Sequence, residues 1–295
     1  MKLSLFSISY AGFWGQDRLS LDEFLKKASV LGYDGVMIAG KRPHLSPLDA
    51  TSDRLGQMRD ALGALKLECL VIGAYTDLAG GPAGEVPFGE MQIAYVESLA
   101  KIAGAVGAKV VRVFTAYETP GQSFAGLWRR CVELLREMSD RVAVHGVTLA
   151  VQNHHDVALH TDALLELLLD VDRTNCRLGF DAWSPALRGE DLYDAARKAA
   201  PYTVVTTNAD YIRLPRYQYR PDLVNYDRQS PDFVRAVKFG EGFIDYREFF
   251  RGLRDGGFDG IATYEMCSPI RGGGALANLD DYASHYLQWM QKTMS

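Results

Sequence analysis

Short apolar runs alternate with longer amphipathic stretches from one end of the chain to the other. Eight runs, at residues 2–9, 35–39, 68–74, 110–115, 148–153, 177–181, 203–208 and 260–265, are rich in Val, Ile and Leu and end in polar or small residues. That is the pattern of short strands buried on both faces. Helical periodicity fills the intervals. Ser20 precedes the first helix with Glu23 three positions on, which is capping-box spacing, and Gly32 stops it. The same phrase returns late in the chain: a helix over 246–253, a stop at Gly256 and Gly257, then Phe258-Asp259-Gly260 leading into the last strand. Further helices are predicted over 92–104, 124–144, 162–169, 192–199 and 278–293. Alternating strands and helices imply an α/β fold with a parallel sheet. Eight strands without a Gly-rich phosphate fingerprint favour a closed (β/α)₈ TIM barrel, in one domain spanning 1–295.

One interval breaks the rhythm. Residues 211–242 separate the seventh strand from its helix and carry Tyr211, Tyr217, Tyr219 and Tyr226. A connection this long is usually functional or disordered, and four aromatics argue for order. Two roles stay open: a loop over the mouth of the barrel, or a contact between subunits of a homo-oligomer.

Composition narrows the function classes. The 295 residues are 47% apolar and 23% charged, with a net charge of −5 and no basic stripe, so a nucleic-acid partner is not expected. No apolar run approaches the ~18 residues of a membrane span. Cys69, Cys131, Cys176 and Cys267 are scattered without a CxxC pair, which indicates neither a zinc ribbon nor a disulfide framework and fits buried thiols. The first residues read as a strand rather than a signal peptide, and a cytoplasmic location is the expectation.

Barrels of this kind carry their chemistry at the C-terminal ends of the strands. There the chain places Lys41 and His44 after the second strand and Tyr75 after the third. Gln152, His154 and His155 follow the fifth, Asp181 and Trp183 the sixth, Asn208 the seventh, and Glu265 the eighth. Asp181 and Glu265 each end an otherwise apolar strand. Two carboxylates facing one barrel mouth repel unless a cation or a proton lies between them. An oxygen-rich set of this kind suits Mn²⁺ or Mg²⁺, with Zn²⁺ as the alternative. His154 lies two residues beyond Gln152, so strand alternation puts both on one side, and its imidazole suits proton transfer near neutral pH. His155 should face away. His44, Tyr75, Trp183 and Lys41 are candidate substrate contacts, with Tyr75 and Trp183 offering faces for a sugar ring and Lys41 a charge for an anionic group.

The phrases GYDGVMI, TLAVQNH, RLGFDAWS and GFDGIATYE resemble, over nearly the whole chain, the sugar phosphate isomerase/epimerase superfamily of xylose isomerase-like barrels. That group includes ketose 3-epimerases, inosose dehydratase and endonuclease IV. The resemblance implies one divalent metal held by a Glu on strand five, an Asp on strand six, a His on strand seven and a Glu on strand eight. Asp181 and Glu265 match. Gln152 stands in the place of the first Glu, and Asn208, or as second choice Thr207, in the place of the His. An amide does not exchange protons near neutral pH, so a symmetric two-Glu epimerase mechanism is not available.

The leading expectation is therefore a metal-assisted isomerase or epimerase of a sugar, keto-sugar or cyclitol, with Glu265 or His154 as base and an enediolate intermediate. The alternative is a lyase on the same scaffold, a dehydratase or a keto-glycoside-cleaving enzyme, which needs one base. A sugar-binding barrel without activity and an endonuclease IV-like enzyme rank lower, the latter because its chemistry needs more histidines at the mouth than this chain has.

Overall fold

The computed structural model describes residues 1–80 and 85–294. Eight parallel strands close into a barrel: β1 (Lys2–Phe6), β2 (Gly35–Ala39), β3 (Glu68–Gly73), β4 (Val110–Val113), β5 (Thr148–Gln152), β6 (Cys176–Gly179), β7 (Thr203–Asn208) and β10 (Ile261–Tyr264). Their order around the barrel is β1-β10-β7-β6-β5-β4-β3-β2, so β10 stands four strands from β4 in either direction. All eight coincide with the expected runs, apart from trimmed ends.

The outer layer holds α1 (Leu21–Leu31), α2 (Ser52–Ala64), α3 (Phe88–Val106), α4 (Phe124–Ala143), α5 (Thr161–Val171), α6 (Trp183–Arg188), α7 (Leu192–Ala199), α8 (Tyr246–Asp255) and α9 (Leu276–Met294). Ser20 caps α1 in a complete capping box with Glu23, and Gly32 ends it in the left-handed region at φ 92°, as the sequence pattern indicates. Two helices were not expected. Helix α2 buries only Met58 and Leu62 and carries Gly56 and Gly63, so its periodic signal is faint. The single turn and a half of α6 is too short to show periodicity at all.

Strand alternation splits the apolar side chains into two cores. Outward-facing residues such as Ile38, Ile72, Val111, Val151 and Leu178 pack against the helices. Inward-facing Phe6, Met37, Val71, Val110, Ala150 and Val205 fill the barrel. The inward register continues upward to the strand ends, and there it turns polar.

The long interval folds as an antiparallel hairpin of β8 (Asp210–Arg220) and β9 (Asn225–Val237). Its base is anchored. The Asp210 carboxylate accepts from the backbone N–H groups of Tyr211 (2.9 Å), Gly240 (2.9 Å) and Gly242 (2.8 Å). A Cβ at Gly242 would lie 1.9 Å from Asp210 Oδ1, so only glycine permits the clamp. Beyond the base, the strands extend into solvent with Tyr217, Leu223, Val224 and Tyr226 exposed. Asp210→Ala leaves three amide donors without their acceptor. We expect a loss of roughly 2 kcal/mol in urea unfolding, since orphaning buried groups costs about 1–3 kcal/mol each before relaxation.

Candidate active site

A cavity of about 430 Å³ opens at the C-terminal end of the barrel, within the usual size range for small-molecule sites. Its polar walls come from Tyr75, Asp77, Arg112, Gln152, His154, His155, Glu265 and Cys267, with Phe6, Ile8, Trp14, Phe114 and Tyr117 as apolar lining. Of the expected site residues, the fold therefore brings Glu265, His154, Gln152 and Tyr75 to one space.

Glu265 follows β10, where its amide donates to the Asn208 carbonyl at 3.0 Å and holds the strand end in register. Burial pushes its carboxyl pKa up, with the Arg112 charge and the Cys267 thiol acting in the opposite direction. The Cys267 Sγ lies 3.4 Å from Glu265 Oε1 and 3.1 Å from the Tyr211 hydroxyl. The thiol can donate to the carboxylate while accepting from the phenol, and this relay orients Oε1. Cys267 thus belongs to the cavity wall rather than to the set of inert buried thiols.

His154 packs against Phe114 at 4.6 Å between ring centroids. Its Nδ1 accepts the backbone N–H of His155 at 2.8 Å and lies 2.9 Å from His155 Nδ1; with the backbone amide as the fixed donor, we assign the ring proton to Nε2. Burial, and then the neighbouring His155 and Arg112, lower its pKa to about 4. At neutral pH it is an uncharged N–H donor. His155 was expected to face away, yet it also lines the cavity. The strand ends at Gln152, and His155 takes a positive φ of 68°, so alternation no longer governs it. Its ring stacks on Tyr117 at 3.8 Å, and Nε2 lies 3.0 Å from the Thr76 carbonyl.

Asp181 lies beneath this surface and is buried. Its Oδ1 accepts from Thr207 N (2.8 Å) and Thr207 Oγ1 (2.7 Å), and its Oδ2 accepts from Gln152 Nε2. Asn153 locks the backbone of Asp181 with a donor and an acceptor, at 2.9 and 2.8 Å. Burial, and then the charge of Glu265, raise the Asp181 pKa to about 7, against the lowering effect of Thr207 and Gln152.

Three expected contacts lie elsewhere. Asn208 is turned out of the barrel: its amide donates to the Thr263 carbonyl (3.0 Å) and the Tyr286 hydroxyl of α9 (3.3 Å). Alternation gives the inward place on β7 to Thr207. His44 lies between the helix layer and the strands, stacked on Phe24 with Nε2 3.2 Å from the Leu19 carbonyl. Trp183 packs against Tyr211 and Phe243 in the outer core. Lys41 is at the edge, with Nζ 3.6 Å from the Tyr75 ring centroid.

These placements bear on a metal. Both oxygens of Asp181 are engaged by protein donors, Gln152 turns its amide nitrogen toward Asp181, and Asn208 points away. Gln152 Oε1 is left without a partner, but a single free amide oxygen together with the Glu265 carboxylate is a meagre donor set for Mn²⁺ or Mg²⁺. Among the described residues no three His, Cys, Asp or Glu side chains come together as a metal cluster. The expected four-ligand set does not fit.

Arg112 was missed. It stands in the middle of β4, within Val110-Val111-Arg112-Val113, and is 2% exposed. A lone arginine inside an apolar strand run is the signal that could have found it. Its guanidinium lies 4.0 Å from the Phe114 centroid and 5.2 Å from that of Tyr75. Nη1 donates to the Ala74 carbonyl at 2.8 Å, while Nε has no partner among the described residues. Gly73 and Gly179 make room: a Cβ at Gly73 would lie 3.0 Å from Nη2, and one at Gly179 3.4 Å from the Arg112 Cγ.

Known proteins agree with this architecture. The family model described as xylose isomerase-like TIM barrel matches residues 25–293. Fructoselysine 3-epimerase of Escherichia coli O157:H7 is 24% identical over 265 residues, covering 85% of this chain and 87% of that protein. D-psicose 3-epimerase from Clostridium cellulolyticum H10 superposes with a TM-score of 0.76 at 17% identity over 100% of both chains. The probable 3-DHS dehydratase AsbF from Bacillus anthracis does so with 0.74 at 18% identity over 99% of both. Identities this low speak for the fold alone.

Two measurements follow from the geometry. After incubation with Mn²⁺ and desalting, the protein should retain far less than one equivalent by elemental analysis; about one equivalent, lost in Asp181→Ala, would restore the four-ligand site. Burial also lowers the pKa of His44 to about 4, with the Arg18 charge adding to the effect and the Leu19 carbonyl opposing it. The unfolded chain then binds the proton that the folded one refuses, so stability holds above pH ~6.5 and declines as pH falls toward about 4. The wild type should lose up to about 3 kcal/mol more than His44→Phe across that window in denaturant titrations.

Proposed function

This chain belongs to the xylose isomerase-like TIM barrel family, and we propose that it is an isomerase or epimerase of a small carbohydrate that moves a proton next to a carbonyl. One observation carries the reading: a carboxylate with a raised pKa, Glu265, and an uncharged imidazole N–H, His154, line the same cavity. A cavity of about 430 Å³ suits a monosaccharide or cyclitol rather than a polymer. Curated relatives that act on sugars support the same substrate class.

Glu265 takes the proton from the carbon beside the carbonyl. Its raised pKa brings the carboxylate nearer in basicity to the proton it must accept and return. His154, protonated on Nε2, donates to the carbonyl oxygen as negative charge develops there, as an uncharged imidazole can do without giving up its proton. Gln152 holds its place by bonding Asp181, and its unpaired Oε1 is available to accept a substrate hydroxyl. The phenol–thiol relay from Tyr211 through Cys267 keeps the Glu265 carboxylate aimed. None of these steps passes through a metal.

A lyase reading has its own support. The other cavity-lining carboxylate, Asp77, is held through Oδ1 by the backbone amides of Ala79 (3.0 Å) and Tyr117 (3.3 Å). With Asp77 fixed in this way and Glu265 as the single base, elimination requires no more. Turnover of a panel of ketoses, keto-sugars and keto-cyclitols in ²H₂O separates the two. An isomeric product carrying deuterium at the exchanged carbon supports isomerisation or epimerisation, and loss of water or an aglycone selects elimination. Glu265→Gln should lower kcat by about 10²–10⁴-fold, the usual worth of a general base, and His154→Gln by a smaller factor. Full activity in Glu265→Gln would sink the assignment.

A further inference from the structure

Arg112 and Glu265 stand on opposite walls of the cavity. Arg112 on β4, Tyr75 beyond β3 and Lys41 beyond β2 come from three strands that are adjacent in the barrel. Glu265 comes from β10, four strands from β4 by either route, three from β3 and two from β2. The cationic wall is unspent. Arg112 is buried, and its charge meets aromatic faces and the Ala74 carbonyl rather than a carboxylate. Lys41 Nζ rests 3.6 Å from the Tyr75 ring and 5.0 Å from that of Phe13. Burial and the charge of Arg112 both hold the Lys41 pKa below the ordinary lysine range. Two cations kept within each other's field, one of them buried with no carboxylate in direct contact, cost stability unless something offsets them. Gly73 preserves the space in which the guanidinium sits.

We propose that the substrate is an anionic carbohydrate whose carboxylate or phosphate is held by Arg112, with Lys41 beside it, across the barrel from Glu265. A guanidinium offers a planar fork of donors matched to either oxyanion. An anion anchored on the β4 wall would place the far end of a monosaccharide-sized molecule at Glu265. No direct ion pair joins Arg112 and Glu265 among the described residues, although the Arg112 charge reaches Glu265. This proposal rests on the proton-transfer reading for its orientation, but its test is a binding measurement that needs no turnover.

The test is isothermal titration calorimetry of the full chain with D-fructose, D-gluconate and D-fructose 6-phosphate. At least one anionic probe should bind tenfold or more tightly than D-fructose, and which one does so distinguishes carboxylate from phosphate. Arg112→Met should abolish that preference, Arg112→Lys should keep part of it, and Lys41→Met, at the edge of the site, should weaken it several-fold in a protein whose circular dichroism is unchanged. Equal affinity for neutral and anionic probes, no binding of either anion, or a preference that survives both Arg112→Met and Lys41→Met would overturn the proposal. Glu265→Gln keeps the two readings apart. It should retain the anion preference while losing turnover; retained turnover with the preference intact would remove the base and leave the subsite standing.

Discussion

In a closed parallel barrel each strand offers every second side chain to the interior, and the remainder to the helices. This alternation decides which residues here can take part in chemistry. Val110 and Arg112, Ala150 and Gln152, Val205 and Thr207 share one face of their strands, and each series passes from the packed floor to the polar mouth. Asn208 is one residue from Thr207 and belongs to another environment, the contact with Tyr286 of α9. The inner apolar layer of Phe6, Met37, Val71, Val110, Ala150 and Val205 closes the barrel below the cavity. Ligands can therefore enter only from the C-terminal end, where that face turns polar.

The polar layer is consistent with itself electrostatically. Asp181 is buried, and its carboxylate is met by three donors, two from Thr207 and one from Gln152. Asn153 fixes the backbone that carries it. Above it, the Glu265 charge raises the Asp181 pKa, and Glu265 itself feels the Arg112 charge from across the barrel. The burial of Arg112 depends in turn on two glycines and on the face of Phe114. Each of these groups would be costly alone. Together they leave the Glu265 carboxylate, the uncharged His154 imidazole and the Arg112 cation facing the cavity.

Much of this was legible in the sequence, for physical reasons that differ by residue. Strands buried on both faces write themselves as apolar runs, so all eight were visible, and Ser20, Glu23 and Gly32 announced α1. Helix α2 was hidden because Gly56, Gly63 and a mostly polar surface blur its period. Glu265, Gln152 and His154 followed from strand-end position and alternation. His155 broke that rule because the strand had already ended and its backbone turns left-handed. Asn208 was preferred to Thr207 for its chemistry, and register overruled chemistry. Lone Arg112 within valines was the sharpest clue left unread, since a charge in a fully buried strand requires a reason.

Gln152 and Thr207 make most sense as a pair. With a Glu at 152, three carboxylates would converge with Asp181 and Glu265, and only a cation or shared protons could hold them. An amide at 152 and a hydroxyl at 207 are donors, and both point at Asp181. They supply through hydrogen bonds part of the compensation that a bound cation would supply through its charge. Neither change would suffice by itself: Gln152 alone leaves Asp181 Oδ1 to the Thr207 backbone amide, and Thr207 alone leaves Oδ2 bare. A positive charge stands at the wall of the mouth, on Arg112. A site arranged this way draws its electrostatic help from one side, and so it favours a substrate that brings negative charge to that side.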